Sequence, residues 1–475
     1  MESVLLPGSS PIVTFRILFR AGSALDPKGQ EGIASLTAAM LSAGGSRSQR
    51  YEEIVEAMYP MATSFRCQVD KEVTVFMGET HVDNLDRYYR IIRDMLLNPG
   101  WRPDDFKRLK EDAVNYLKVS LRGNNDEELA KEQLYNFIYE GMPYGHENAG
   151  TIASLERITE GDVKRFYEAC YGTSIMLLGL AGGYPDRFPS QVEFDFAGGL
   201  TTGNESELVL PQPKKITGLH MQIIEKETRG TSISLGFPIA VTRSHPDWPA
   251  LLVAQSYLGQ HRSSNSFLYK QMRQVRGLNY GDYAYIEYFP RGMFQFHPDP
   301  NLARQQQIFQ IWVRPVEPQN GLFALRMALY ELRKLVRDGI SLEDFESTRR
   351  FLTKFVNVLV GTQDARLGYA LDSRIYRIRE FPVYVKEQLG VLTAQDVNRC
   401  IRQYLQPDNV KIVVVTQDAE SFRHAALDDA PSPITYGSPM PKQVLDEDRQ
   451  IENYHLGLTA DRISILAVDD VFQKP

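Results

Sequence analysis

The feature that most constrains this chain is that it repeats itself once. "WRPDDFKRLKEDAVNYLK" from Trp101 recurs in outline as "ISLEDFESTRRFLTKFVN" from Ile340, and "ITEGDVKRFYEACY" from Ile158 recurs as "LTAQDVNRCIRQYL" from Leu392. Asp105-Phe106 matches Asp344-Phe345 and Asp162-Val163 matches Asp396-Val397, at nearly the same separation along the chain. Two independent matches at one spacing imply a duplicated unit. The length of 475 residues, too great for one ordinary core, agrees.

Each matched segment carries helix-start chemistry. Ser341, Thr159 and Thr393 stand at N-cap positions, with Asp344, Asp162 and Asp396 three residues later in the capping-box place. Each half also reads as strand, helix, strand, long helices and a closing strand. In the first half "PIVTFRILF" alternates Val13, Phe15, Ile17 and Phe19 with Thr14, Arg16 and Arg20, followed by a second strand "SFRCQVDKEVTVFMGE" and a closing "SIMLLGLAG". The second half offers "TSISLGFPI", "YGDYAYIEYF" with "IFQIWVRP", and "NVKIVVVTQ". Strands grouped around helices without strict alternation predict an α+β fold, an antiparallel-rich sheet with helices on one face in each unit. The predicted boundaries are a first unit over 1–205, a linker over 206–215 within a Gly-, Thr- and Pro-rich stretch, a second unit over 216–430 and a tail over 431–475 with one further strand pattern, "RISILAVDDVF".

Composition narrows the function classes. With 53 Lys and Arg against 60 Asp and Glu the net charge is −7 and the basic residues are scattered, which argues against a nucleic-acid partner. Cys67, Cys170 and Cys400 lie far apart, in no disulfide or thiolate-zinc spacing. No apolar run reaches the roughly 20 residues needed to span a bilayer. "MESVLLPGSSP" lacks a basic leader region, so the chain as written reads as cytoplasmic, or as periplasmic or secreted if a signal peptide has been removed. None of the eight histidines forms an i, i+4 pair, and no phosphate loop or nucleophile elbow appears.

The strings "FRAGSALDPKGQEGIASLTAAMLSAGG", "MPYGHENAGTIASLERITEGDVKRFYEACY" and "SFLYKQMRQVRGLNYGDYAYIEY", in that order within a duplicated α+β unit, resemble the insulinase/pitrilysin family of zinc metallopeptidases (metallopeptidase family 16). The branch they look like is that of the mitochondrial processing peptidase and its bacterial relatives. The resemblance implies two homologous antiparallel-sheet-plus-helices units forming half of a clam-shell. It also implies a first helix carrying His-x-x-Glu-His, where two imidazoles one turn apart hold Zn²⁺ and the intervening Glu activates its water. This chain departs from that pattern. Ser35 stands at the first His, Ala38 at the Glu and Ala39 at the second His, and "VNYLKVS" from Val114, where the distal carboxylate is expected, holds no Asp or Glu. The chain therefore reads as a non-catalytic member with a vacated zinc site and no metal of its own.

The same resemblance implies a retained feature in the second unit. Arg273 and Tyr280 match an Arg and a Tyr that line the peptide cleft opposite the metal, Arg273 in the last turn of a helix ended by Gly277 and Tyr280 opening the next strand. A guanidinium and a phenol there would hold a scissile carbonyl and its oxyanion. The strand around Ala62 to Phe65 matches one that accepts a peptide by main-chain pairing. His146 and Glu147 in "PYGHENAG" read as a turn before a helix. The implied function is a zinc-less subunit of a heterodimeric peptidase, with a homologous zinc-bearing partner, a peptide substrate and no enzyme activity alone. The alternative is a structural or peptide-binding homologue with no active partner. An additional opening strand, Leu-x-Asn-Gly-Leu, is usual in the family, whereas only "MESVLLPGSS" precedes "PIVTF" here.

Overall fold

A computed structural model describes residues 1–203 and 208–474. Residues 204–207, where the first predicted unit ends and the predicted linker begins, lie outside the described residues.

The strands are β1 (Glu2–Pro7), β2 (Ile12–Phe19), β3 (Ser64–Val69), β4 (Thr74–His81), β5 (Met176–Gly182), β6 (His220–Glu225), β7 (Thr231–Ile239), β8 (Tyr283–Tyr285), β9 (Gln307–Val316), β10 (Lys411–Thr416) and β11 (Ile463–Ala467). They form two mixed sheets, one in the order β1-β5-β2-β4-β3 and one in the order β11-β6-β10-β7-β9-β8. Strand for strand the second is the first with β11 added at one edge. β1 lies parallel to β5 and β6 parallel to β10, while β2, β3, β4, β7, β8 and β9 pair antiparallel.

The sequence reading misses the same strand twice, β1 and β6. The stretch read as one second strand is a hairpin, β3 and β4, because the polar "DKE" run lets the chain reverse between Val69 and Thr74. The expected caps are present. The Thr159 and Thr393 hydroxyls accept from the Asp162 and Asp396 N–H groups in full capping boxes, and Ser341 accepts from Asp344 N–H.

The expectation of helices on one face is incomplete. The eight helices used below are α1 (Ile33–Ala43), α2 (Pro103–Asn115), α3 (Asp126–Ile138), α4 (Glu160–Cys170), α5 (Trp248–Gly259), α6 (Leu342–Leu359), α7 (Gln363–Ile375) and α8 (Phe381–Val391). In the first half α1 and α4 cover the face carrying Val13, Phe15, Ile17 and Phe19. The opposite face of β2 is also buried, because α7 of the second half packs on β2 and β5. Thr14 and Arg16, polar in the alternation, are therefore inside. Arg16 makes a bidentate pair with Asp364 at 2.7 and 2.8 Å and donates to Asn301 Oδ1 at 2.7 Å, and Gln363 donates to Thr14 Oγ1 at 2.8 Å.

The exchange is reciprocal, for α3 of the first half packs on β7, β9 and β10 of the second sheet. Five of the first seven residues of α3 are charged, and most of the helix is buried. Its charges are matched one by one: Glu127 to Arg314 at 2.9 Å, Glu128 to Lys131 at 3.1 Å and to the Gly292 N–H at 2.7 Å, Glu132 to the Tyr288 hydroxyl at 2.6 Å. Lys131 also donates to the Phe289 carbonyl at 2.5 Å, with its ammonium 4.7 Å from the Trp312 ring centre. Buried charges persist only when paired and hydrogen-bonded in this way.

The tail is part of the fold. Its helix, Lys442–Glu452, holds Arg276 through Glu447 at 2.8 Å and Asp448 at 2.7 Å, and β11 joins β6 in parallel. It then returns to the first half, where the Ile152 N–H donates to the Phe472 carbonyl at 2.9 Å. Among the described residues no helix is long and apolar enough to cross a membrane.

A fully buried tie between the halves is Arg304, in the loop between β8 and β9, with Asp70 in the β3–β4 turn. The two bonds measure 2.8 and 2.5 Å and both side chains are buried. Removing one partner of such a pair strands the other charge. Asp70→Ala is expected to lower unfolding stability by about 3–5 kcal/mol, read from the urea midpoint. Adding Arg304→Met should recover most of that loss, and equal effects of the single and double variants would contradict the assignment.

Candidate functional site

Helix α1 is fixed at its start by Asp26, whose carboxylate accepts the Gly32 N–H at 2.6 Å and the Ala34 N–H at 3.0 Å. The "PYGHENAG" loop closes over it. His146 Nε2 lies 3.1 Å from Asp26 Oδ2, and the backbones meet so closely that a Cβ on Gly32 would fall 2.4 Å from the Ala149 carbonyl and one on Gly150 2.1 Å from the Glu31 carbonyl. His146 and Glu147 are both buried in this clamp. Burial pushes the Glu147 carboxyl up to about 8, with Glu132 adding to the shift.

Ser35, Ala38 and Ala39, the positions that the resemblance matches to the zinc motif, lie against this packing, Ser35 and Ala39 half-buried and Ala38 buried. Ser35 spends its hydroxyl on the Asn148 carbonyl at 2.5 Å, Ala38 is fully buried and Ala39 is half-buried against the first core. In Val114–Ser120, Val114 and Leu117 pack on that core and supply no oxygen ligand. Among the described residues no group of three or more His, Cys, Asp or Glu side chains is placed to hold a metal ion. His261 has both ring nitrogens engaged, Nδ1 with the Tyr285 hydroxyl at 2.7 Å and Nε2 with the Gln295 carbonyl at 2.8 Å. The side chains present do not fit a zinc ion at α1. Installing Ser35→His, Ala38→Glu and Ala39→His together is expected to leave the protein without stoichiometric zinc after gel filtration, because the distal carboxylate is still lacking. Retention of one zinc per chain by elemental analysis would contradict this.

Arg273 and Tyr280 are brought together in the second half. A π-helical segment, Tyr269–Val275, buries Met272 in the second core, and Gly277 at φ 66° ends it. Tyr280 lies in the bend that follows and does not open a strand, since β8 begins at Tyr283. Gly281, at φ 121°, turns the chain so tightly that a Cβ would fall 2.6 Å from the Tyr269 ring. Arg273 Nη1 donates to the Tyr269 hydroxyl and to the Tyr280 carbonyl at 3.4 Å. Its guanidinium carbon lies 4.9 Å from the Tyr269 ring centre and 5.5 Å from that of Tyr280. Tyr280 itself is 73% exposed. The result is a cation packed near two tyrosine rings, one of which, Tyr280, is an exposed phenol, a donor set suited to a carbonyl or carboxylate oxygen. Tyr269 escapes the motif reading. Its i, i+4 spacing from Arg273 on one helical face is the signal that finds it.

The turn bearing Tyr280 is pinned by Asp282, which accepts from Asn279 Nδ2 at 2.7 Å and from the Arg314 N–H at 3.0 Å. Asp282 is fully buried, its Oδ2 lacks a partner, and burial raises its carboxyl to about 7. The folded state therefore holds this proton over a range where the unfolded chain has lost it, so stability from this group is greatest below pH 4 and falls as pH rises to 7. The loss amounts to roughly 4 kcal/mol at most. Asp282→Asn is expected to flatten the dependence of the melting temperature on pH between 4 and 7. An unchanged slope would contradict the assignment.

The third sequence-marked element, around Ala62 to Phe65, lies at an edge. Ala62 is left-handed at φ 50°, Phe65 is buried, and β3 is the outermost strand of the first sheet. Ser35, Ala38 and Ala39 belong to the first half and Arg273 and Tyr280 to the second, and no hydrogen bond among the described residues joins the two groups.

With this geometry established, comparison with known proteins is specific. Residues 4–152 match the model of "Insulinase (Peptidase family M16)" and residues 157–352 that of "Peptidase M16 inactive domain". Among similar sequences are an uncharacterized zinc protease of Rickettsia bellii, 24% identical over 60% of this chain and 67% of its own length, and a probable mitochondrial-processing peptidase subunit beta of Arabidopsis thaliana, 22% identical over 53% of this chain and 47% of its own length. The chain thus spans about half to two thirds of the length of the curated relatives it matches. Among solved structures, an M16 inactive domain from Pseudomonas fluorescens superposes with a TM-score of 0.76 at 20% identity, over 87% of this chain and 94% of that one. A chain of Complex III2 from Candida albicans gives 0.71 at 12% identity, over 95% and 97%. These likenesses establish the two-unit fold.

Proposed function

This chain belongs to the M16 insulinase family of peptidases, and on that premise we propose that it is a zinc-less subunit of a heterodimeric peptidase. In this reading a homologous partner carries His-x-x-Glu-His and supplies the metal and the general base. This chain closes the chamber, binds peptide, and presents Arg273 and Tyr280 to the scissile carbonyl.

One observation carries the reading: Arg273, Tyr269 and Tyr280 form a built assembly in which Tyr280 is exposed and the other two are half-buried, while the α1 face holds Ser35, Ala38 and Ala39 with no ligating side chain. Loss confined to the metal half is what division of labour between two subunits produces. Arg273 would act by hydrogen bonding and by charge on the developing oxyanion, a contribution worth about 10² to 10³ in turnover when one such donor is removed. Tyr280 would add its hydroxyl from the same side. The edge position of β3 supports main-chain pairing with the same extended peptide.

The test is Arg273→Ala in the assembled complex. Turnover should fall by about 10²-fold with bound zinc unchanged, and unaltered turnover would overturn the role. The likeness to a chain of Complex III2 favours a second reading, a structural homologue with no active partner. In that case no zinc-bearing relative would accompany the chain, and Arg273→Ala would leave its assembly intact.

A further inference from the structure

Arg273 stands in the last turn of a helical segment on a long, flexible side chain, and a helix end alone does not aim its guanidinium. An arginine free to turn loses side-chain entropy each time it is ordered against a ligand. A donor helps most when it is already in place.

The structure holds the guanidinium from two sides. Tyr269, one helical turn earlier, accepts from Arg273 Nη1 through its hydroxyl and sets its ring centre 4.9 Å from the guanidinium carbon. The Tyr280 carbonyl accepts from the same nitrogen at 3.4 Å. A guanidinium carries five N–H groups, and these bonds engage only those on Nη1. Among the described residues nothing accepts from Nε or Nη2 of Arg273, so those N–H groups stay free for a substrate oxygen.

Tyr269 is itself a fixed support. Its ring packs against the buried cluster of Tyr283, Tyr285, Phe289 and Trp312, and the turn at Gly281 closes against it. Its hydroxyl makes no other hydrogen bond among the described residues. The ring therefore serves the packing, while the hydroxyl serves Arg273 alone.

We propose that Tyr269 is the positioning residue for Arg273: its hydroxyl fixes Nη1 and so presents Nε and Nη2 to the peptide carbonyl. The presentation to peptide rests on the function proposed above, whereas the hold on the guanidinium belongs to this chain by itself.

Tyr269→Phe keeps the ring and its packing and removes only the hydroxyl. In the whole chain, nitrogen NMR of the Arg273 guanidinium, assigned by its loss in Arg273→Lys, should show slow rotation about the Cζ–Nε bond in the parent. Rotation should become fast in Tyr269→Phe, at an unchanged melting temperature. Fast rotation in both, or no change on substitution, would overturn the proposal. In the assembled complex Tyr269→Phe should lower kcat about tenfold with KM unchanged, and should add nothing in an Arg273→Ala background. A loss that persists in that background would overturn the positioning role, as would full turnover in Tyr269→Phe where Arg273→Ala is impaired. Full turnover in Arg273→Ala itself would instead remove the peptide reading, and the presentation proposed here with it.

Discussion

Each half of this molecule is completed by a helix from the other. Helix α3 lies on the second sheet and α7 on the first, and the two helices begin at corresponding places in the repeat. Neither sheet could bury its second face without the exchange. Arg16, Ser232 and Ser234, which point to those faces, would otherwise meet water. The exchange also explains a concentration of buried charge unusual for a core. Arg304 with Asp70, Arg16 with Asp364 and Arg314 with Glu127 all cross between the halves. Ion pairs of this kind add little net stability over an apolar core, but an arrangement that leaves one partner buried and unpaired is costly. The halves are therefore specified as one body, and Arg273 and Tyr280 are held at fixed places relative to α1.

That body makes the division of the functional surface coherent. On α1 the chain has spent its polar atoms internally: Asp26 on two backbone N–H groups, His146 on Asp26, Ser35 on the Asn148 carbonyl. Little chemistry remains there for a ligand. At the other site the Tyr280 phenol is open to solvent, with Arg273 half-buried beside it and Asp282 buried beneath as a support. A chain with one face closed and the other presented is suited to work against a partner whose pattern is the reverse.

Much of the fold is legible in the sequence because duplication and capping are local signals. Asp162 and Asp396 announce their helices from three residues away, and the structure carries both capping boxes. β1 and β6 are missed because each is six residues long without clean alternation and pairs with a strand far along the chain. The second face of β2 is misread for a related reason. Thr14 and Arg16 look solvent-facing in the alternation, and only the arrival of Gln363 and Asp364 makes their burial tolerable. Arg273 and Tyr280 are marked by the motif and lie close together in the structure, whereas their neighbours Tyr269 and Asp282 are not marked by it. Tyr269 acts through helical spacing and Asp282 through burial, which three-dimensional packing alone supplies.

The central claim is that this chain works beside a zinc-bearing relative. It is tested most directly by purifying the tagged chain from its native cells and identifying what accompanies it by quantitative mass spectrometry. The account predicts a near-stoichiometric homologue bearing His-x-x-Glu-His with one zinc per pair. Recovery of the chain alone, or in an assembly holding no such homologue, would contradict it.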